Sequence, residues 1–205
     1  MRLTRLEFEG VGSFADHMQI DFDTLGAVGL FLIEGPTGAG KSTILDAIVF
    51  ALYGSPAGSE SDPGRLDSHV RDGRREPYVE LDFVIDAATY RIRRTPRHER
   101  DKKRGTGMRV DDGGVSLVRL TPDPGGISAK AREVGDWVIE HIGLTKQQFV
   151  STIVLAQGEF SSFLNAETRD RTPILEKVCG TEFYQDVEQQ LAQMRKAALG
   201  DRAAA

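Results

Sequence analysis

The chain has 205 residues, 40% hydrophobic and 28% charged, which suits one sizeable α/β domain with a protruding arm. A formal net charge of −5 argues against a globally basic nucleic-acid binder, though not against a local basic patch. Cys179 is the only cysteine, which excludes an internal disulfide and a cysteine-based zinc site within the sequence. The opening Met1-Arg2-Leu3-Thr4-Arg5 lacks the apolar core of a signal peptide, and no apolar run is long enough to span a bilayer, so a cytoplasmic location without membrane contact is expected.

Residues 2–9 alternate, with Leu3, Leu6 and Phe8 apolar, and predict a first strand. Gly10-Val11-Gly12-Ser13-Phe14 reads as a turn, and residues 18–22 alternate again as a hairpin partner. Gly29-Leu30-Phe31-Leu32-Ile33 predicts a buried strand. It runs into Glu34-Gly35-Pro36-Thr37-Gly38-Ala39-Gly40-Lys41-Ser42-Thr43, which fits the G-x-x-x-x-G-K-[ST] template of a phosphate-binding loop. Glycines let the backbone approach a ligand closely, and the loop N–H groups with the following helix N-terminus form a concave anion site. Gly35 through Thr43 are therefore expected to bind the phosphates of a nucleoside triphosphate, with Lys41 reaching the β/γ-phosphates and Ser42 ligating Mg²⁺. A helix over 43–53 closes at Gly54, with Ile44, Leu45, Ile48, Val49 and Leu52 on its apolar face.

Residues 55–64 are rich in Ser, Pro and Gly and predict a surface loop. Strands over 78–85 and 89–95 flank Asp86-Ala87-Ala88, and strands near 108–110 and 115–120 flank Asp111-Asp112-Gly113-Gly114; the whole meander, about 78–120, is expected to project as a β arm. A helix over 128–141 is capped by Ser128 and carries Ala131, Val134 and Val138 on one face. A short helix over 145–152 precedes a buried strand over 153–156, which ends at Gln157-Gly158-Glu159-Phe160. Helices are expected over 161–165 and 169–178, the second stopped by Gly180. From Thr181 onward, Tyr184, Val187, Leu191, Met194 and Ala198 keep a heptad spacing, as a coiled-coil seam or a plain amphipathic helix would.

A complete phosphate-loop ATPase also needs a carboxylate at the end of a second buried strand. Leu81-Asp82-Phe83-Val84-Ile85-Asp86 is its nearest imitation, but Asp82 interrupts the run and a hairpin strand follows directly. The guanine-reading Asn-Lys-x-Asp is absent. His17, His69, His98 and His141 are scattered and expected at the surface rather than in a metal site. The phosphate cradle is thus expected to receive the rest of a hydrolytic site from elsewhere.

Three blocks carry a family resemblance. The first is Met1 through Phe14 with Ile20-Asp21-Phe22, Gly35 through Ile48 and Ala51-Leu52-Tyr53-Gly54. The second is Phe149 and Val154 through Phe160 with Phe163-Leu164-Asn165-Ala166, and the third is Arg171, Ile174-Leu175-Glu176, Gly180-Thr181-Glu182 and Tyr184. Together they resemble the N-terminus of the SbcC family, bacterial counterparts of the ATPase component of the eukaryotic double-strand-break repair nuclease. The resemblance implies an α/β fold: the N-lobe (1–180) of an ABC-type ATPase head, with a mixed sheet, flanking helices, the β arm and the start of a coiled-coil helix (181–205). It implies ATP and Mg²⁺ as cofactors, Lys41 and Gln157 as catalytic, and Ser42 and Gln157 near the metal. The implied partners are a C-terminal lobe bringing the signature motif and Mg²⁺-binding acid, a second head, an SbcD-like nuclease and double-stranded DNA, in a nucleoid-associated setting. The chain then looks like a fragment that binds nucleotide weakly and barely hydrolyses it alone. Related ATPases often place a basic residue in the first turn; here contacts to nucleotide fall to the backbone and Ser13.

Residues 91–104 hold eight basic residues against Glu99 and Asp101. Arg97, Arg100, Lys102, Lys103 and Arg104 are expected to contact DNA phosphates without base stacking, giving sequence-independent, salt-sensitive binding. The competing readings are a solvated hairpin tip for this run, and an SMC-type chromosome-organising ATPase or a metabolic phosphotransferase for the whole.

Overall fold

The computed structural model describes residues 1–25, 31–57, 66, 76–102, 106–154 and, near the C-terminus, 191, 194 and 195. The chain divides into two compact units, Met1–Lys146 and Gln147–Ala205. In chain order the first holds β1 (Arg2–Glu9), β2 (Met18–Asp21), a one-turn helix α1 (Phe22–Leu25) and α2 (Lys41–Tyr53). Then come β3 (Tyr78–Ile85), β4 (Ala88–Thr95), β5 (His98–Asp101), β6 (Met108–Asp111), β7 (Gly114–Thr121), β8 (Gly125–Ser128) and α3 (Ala131–Ile142). α4 (Lys146–Phe149) and a π-helical turn (Val150–Val154) follow.

Six strands form one sheet in the order β2-β1-β3-β4-β7-β8, with every pairing antiparallel. Strict alternation sorts its faces. Leu6, Phe8, Val79, Leu81, Phe83, Ile92 and Leu117 point one way and are fully buried. α2 packs on β3 and β4 and α3 packs on β7, and the two helices touch each other over this apolar face. α2 is buried almost all round, including Ala47, Val49, Ala51 and Leu52; Leu45, expected on its apolar face, is 36% exposed.

The opposite face is ionic. Arg91 grips Asp82 with Nε and Nη2, both at 2.7 Å, while Arg5 and Arg93 each reach Glu80 at 3.2 Å. Arg5 also pairs with Glu7, and the Arg93 guanidinium lies 3.7 Å over the Tyr78 ring. These side chains cover Glu80 and Asp82 so completely that both are buried. Asp82 is therefore the outward residue of an alternating strand held by an arginine, and Asp86 sits exposed in the β3–β4 turn at φ 53°.

Four expectations are corrected by this arrangement. Residues 31–33, expected as a buried strand, form no strand and have no strand partner among the described residues, with Leu32 81% exposed. An apolar run becomes a buried strand only when neighbours flank it on both sides, and among the described residues none does. The arm is far smaller than 78–120: β3, β4 and β7 lie inside the main sheet, and only β5 and β6 leave it as a two-stranded hairpin. Ser128 ends β8 instead of capping α3, whose N-cap is Lys130; the Ser128 hydroxyl accepts from the Lys130 N–H and donates to Glu133. Ile153 and Val154, expected to start a buried strand, sit in the π-helical turn, with Ile153 55% exposed.

Of the loop over 55–64, Ser55 to Ala57 are described, with Pro56 buried; Gln157 and the helices expected over 161–178 lie outside the described residues. Of the expected coiled-coil helix, Leu191, Met194 and Arg195 are helical and exposed. Among the described residues no helix is long and apolar enough to cross a membrane.

Arg94 fixes where α2 ends. It is buried on the core face of β4, and its Nε and Nη2 donate to the carbonyls of Ala51 and Leu52 at 2.6 and 3.2 Å. These carbonyls belong to the last turn, which has no intrahelical donors to use them and carries the negative end of the helix dipole. Gly54 closes the helix in the left-handed conformation (φ 79°), its N–H donating to the Phe50 carbonyl. Burial lowers the Arg94 pKa to about 10, so the group stays charged at neutral pH. Arg94→Met keeps the bulk but strands two carbonyls, and urea unfolding of the variant should show a loss of about 2 kcal/mol with an unchanged m-value.

Candidate functional site

The phosphate loop closes onto its own lysine. Lys41 Nζ donates to the carbonyls of Gly35 and Pro36 at 2.7 and 2.8 Å, and the Ala39 N–H donates to the Pro36 carbonyl at 3.2 Å. The ammonium thus lies against the curled backbone from Gly35 to Gly40. Gly38 and Gly40 take φ of 87° and 86°. Gly40 is the N-cap of α2 and no side chain hydrogen-bonds the cap. The orphan donors of the first helical turn are left for an anion, which the positive end of the dipole also favours. Ser42 is exposed and Thr43 half-buried at this same end.

The floor of the loop comes from the β1–β2 connection. Val11 and Phe14 exchange both backbone hydrogen bonds, at 2.9 and 3.0 Å, which folds residues 11–14 into a tight turn. The Phe14 ring meets the buried Phe8 edge-on at 5.2 Å. A Cβ at Gly40 would lie 2.5 Å from both the Phe14 ring and Ser13 Oγ. Only glycine fits there, for space as well as for φ. Ser13 Oγ therefore lies beside Gly40 at the edge of the loop. Asp46, buried one turn into α2, accepts from the Ala57 N–H at 3.0 Å and so ties down the chain leaving the helix. Sequence reasoning missed this tie and the Arg94 cap, because each joins segments with no common periodicity.

The loop fits a triphosphate on these observations: a backbone cradle held open by glycines, a lysine already at its mouth and an uncapped helix N-terminus. Gly35 through Thr43 are the residues that would hold it, and Ser42 supplies the hydroxyl suited to Mg²⁺.

The basic run divides sharply. Arg91 and Arg93 belong to the ionic face, Arg94 caps α2, and Arg100 pairs with Asp111 at 2.6 Å. The N–H of Gly113 and the Arg100 guanidinium both hold the Asp111 carboxyl below its ordinary pKa. Arg97 and Lys102 remain exposed and have no acidic partner among the described residues; Lys103 and Arg104 lie outside them. Arg109 joins this set: it is exposed and sits directly opposite Arg100 in the β5–β6 register. It was missed because it follows the break at Gly105-Thr106-Gly107, although period-two alternation places it beside Arg100. His98, expected at the surface, is buried with Nδ1 3.0 Å from the Pro96 carbonyl.

A glycine cradle entering a buried helix, laid on an antiparallel sheet, defines a phosphate-loop ATPase domain. The chain belongs to the AAA domain family, whose model matches residues 5–201. It is 40% identical over 194 residues to the SbcC component of nuclease SbcCD from Vibrio cholerae, covering 93% of this chain and 19% of that relative. The proteins of the same name in Pseudomonas aeruginosa and Rhodobacter capsulatus are 37% and 35% identical, over 90% and 99% of this chain and 16% and 18% of theirs. The chain thus spans under a fifth of the length of these curated relatives.

Gly40→Ala forces strain and a clash at once. Mg-ATP affinity should fall at least about tenfold, or about 1.4 kcal/mol, within the roughly 1–3 kcal/mol that such backbone strain costs, as read by equilibrium nucleotide titration.

Proposed function

We propose that this chain is the ATP-binding half of an SbcC-type ATPase that gates DNA end processing by a partner nuclease. The observation that carries the reading is the preformed loop with Lys41 bridging the Gly35 and Pro36 carbonyls, in a chain whose likeness to the SbcC relatives spans nearly its whole length. Bound Mg-ATP would supply the γ-phosphoryl group whose loss to water drives the cycle. Lys41 exchanges its loop carbonyls for phosphate oxygens, the Ser42 hydroxyl serves the metal, and Ser13 stands at the side of the loop. Gln157 is assigned to the metal or the attacking water by its motif alone.

The signature motif and the acid come, in this reading, from a C-terminal lobe, and a second head closes over the nucleotide. Contacts that form only in the closed assembly let ATP bias it, and hydrolysis releases it. The exposed cations of the β5–β6 hairpin face duplex DNA through its phosphates. Arg100 does not serve there as a free charge, since Asp111 already holds it.

Two measurements test this. With both lobes present, Lys41→Ala should abolish Mg-ATP binding, and a variant that binds as tightly as the parent overturns the assignment. Neutralising Arg97, Lys102 and Arg109 together should make the negative slope of log affinity for duplex DNA against log salt shallower by roughly 3, near 0.9 for each lost phosphate contact. An unchanged slope removes the hairpin from the DNA path.

A further inference from the structure

β4, β7 and β8 meet α3 around a second cleft of about 320 Å³ that shares no residue with the phosphate loop. Phe83, Tyr90, Arg119 and Gly125 are direct cross-strand neighbours, one from each of β3, β4, β7 and β8. They form a single row across the face that α3 covers. Trp137 stands over this row, 4.8 Å from the Tyr90 ring and 6.4 Å from Phe83. His141, one turn further along, stacks on the indole at 3.9 Å and 18°. Its Nδ1–H donates to the Trp137 carbonyl at 2.9 Å, which sets the ring plane, and the residue is exposed.

Two further features make this cleft unlike a leftover of packing. Arg119 is oriented by Nε donating to the Asp123 carbonyl at 3.1 Å, and no carboxylate pairs with its guanidinium among the described residues. The wall opposite is bare: a Cβ on Gly125, the last member of the row, would meet nothing within 4 Å. Strand positions ordinarily favour branched or aromatic side chains, so a glycine facing open space in this row leaves room for something that approaches the backbone.

A flat aromatic stack, an oriented guanidinium and a bare backbone wall select a planar ring that carries an anion. An aliphatic ligand leaves the stack unused, and a simple anion leaves the rings unused. We propose that this cleft holds one nucleobase with its phosphate, the base lying against the Trp137–His141 pair and the phosphate on Arg119. The base comes from an unpaired DNA strand or from a free mononucleotide. Only the first source rests on the DNA-end reading above.

Trp137 is the only tryptophan, so intrinsic fluorescence reports on the site directly. The 205-residue chain is titrated with a short oligothymidylate, with thymidine monophosphate and with an abasic oligomer of the same length. Saturable quenching by the oligothymidylate is expected, and none by the abasic strand. Gly125→Leu fills the empty wall without a clash, so it should keep the parent's thermal midpoint while weakening the quenching midpoint about tenfold, the size of one lost base stack. His141→Ala and Arg119→Gln should weaken it similarly. Equal midpoints for monophosphate and oligomer, still lost in Gly125→Leu, assign the site to a free nucleotide; a tighter oligomer assigns it to an unpaired strand. Absence of quenching, equal quenching by the abasic strand, or midpoints unmoved by Gly125→Leu overturns the proposal. The salt slope of duplex binding reads the hairpin separately, so the two ideas fail independently.

Discussion

The rest of the structure depends on one buried cation. Arg94 extends from β4 into the last turn of α2 and satisfies carbonyls that the helix cannot use. The other end of the same helix is the phosphate loop. A 13-residue helix is roughly 20 Å of stiff rod, so whatever fixes one end places the other. Arg94 does so from a strand whose next residues, Thr95, Pro96 and Arg97, lead into the β5–β6 hairpin. The nucleotide cradle and the root of the hairpin are therefore attached to the same element, and neither can be repositioned without straining it.

Below the cradle the restraint is steric. Phe8, Phe14 and Gly40 form a short stack from the sheet core to the loop, with the glycine where any side chain would collide. The loop's shape is thus set by the core. A ligand that needs this shape meets a backbone already curled, and only Lys41 has to let go of its two loop carbonyls to reach it.

What could be read from the sequence followed the range of the interactions. The phosphate-loop motif, the helix ended by Gly54 and the β3–β4 turn are written in patterns of neighbouring residues, and all were legible. The fates of the charged residues were not. Arg91, Arg93, Arg94 and Arg100 read alike as members of a basic run, yet three of them complete ion pairs and one caps a helix. Each outcome depends on a partner across a strand or an element, and on face alternation that a charge count ignores. The 31–33 segment failed for a related reason: apolar content predicts burial, but only flanking strands supply it. β8 went unseen because Gly125-Gly126 has almost no strand propensity of its own, and pairing with β7 supplies its order instead.

The two outermost strands, β2 and β8, are each four residues long. An edge that short offers little unpaired backbone for another chain to zip onto, which is a common defence against sheet-to-sheet growth and aggregation. Lateral docking of a fresh strand at either margin is thereby discouraged. Among the described residues, the loops, helix ends and hairpin are then better placed than the sheet margins to carry a contact with another chain.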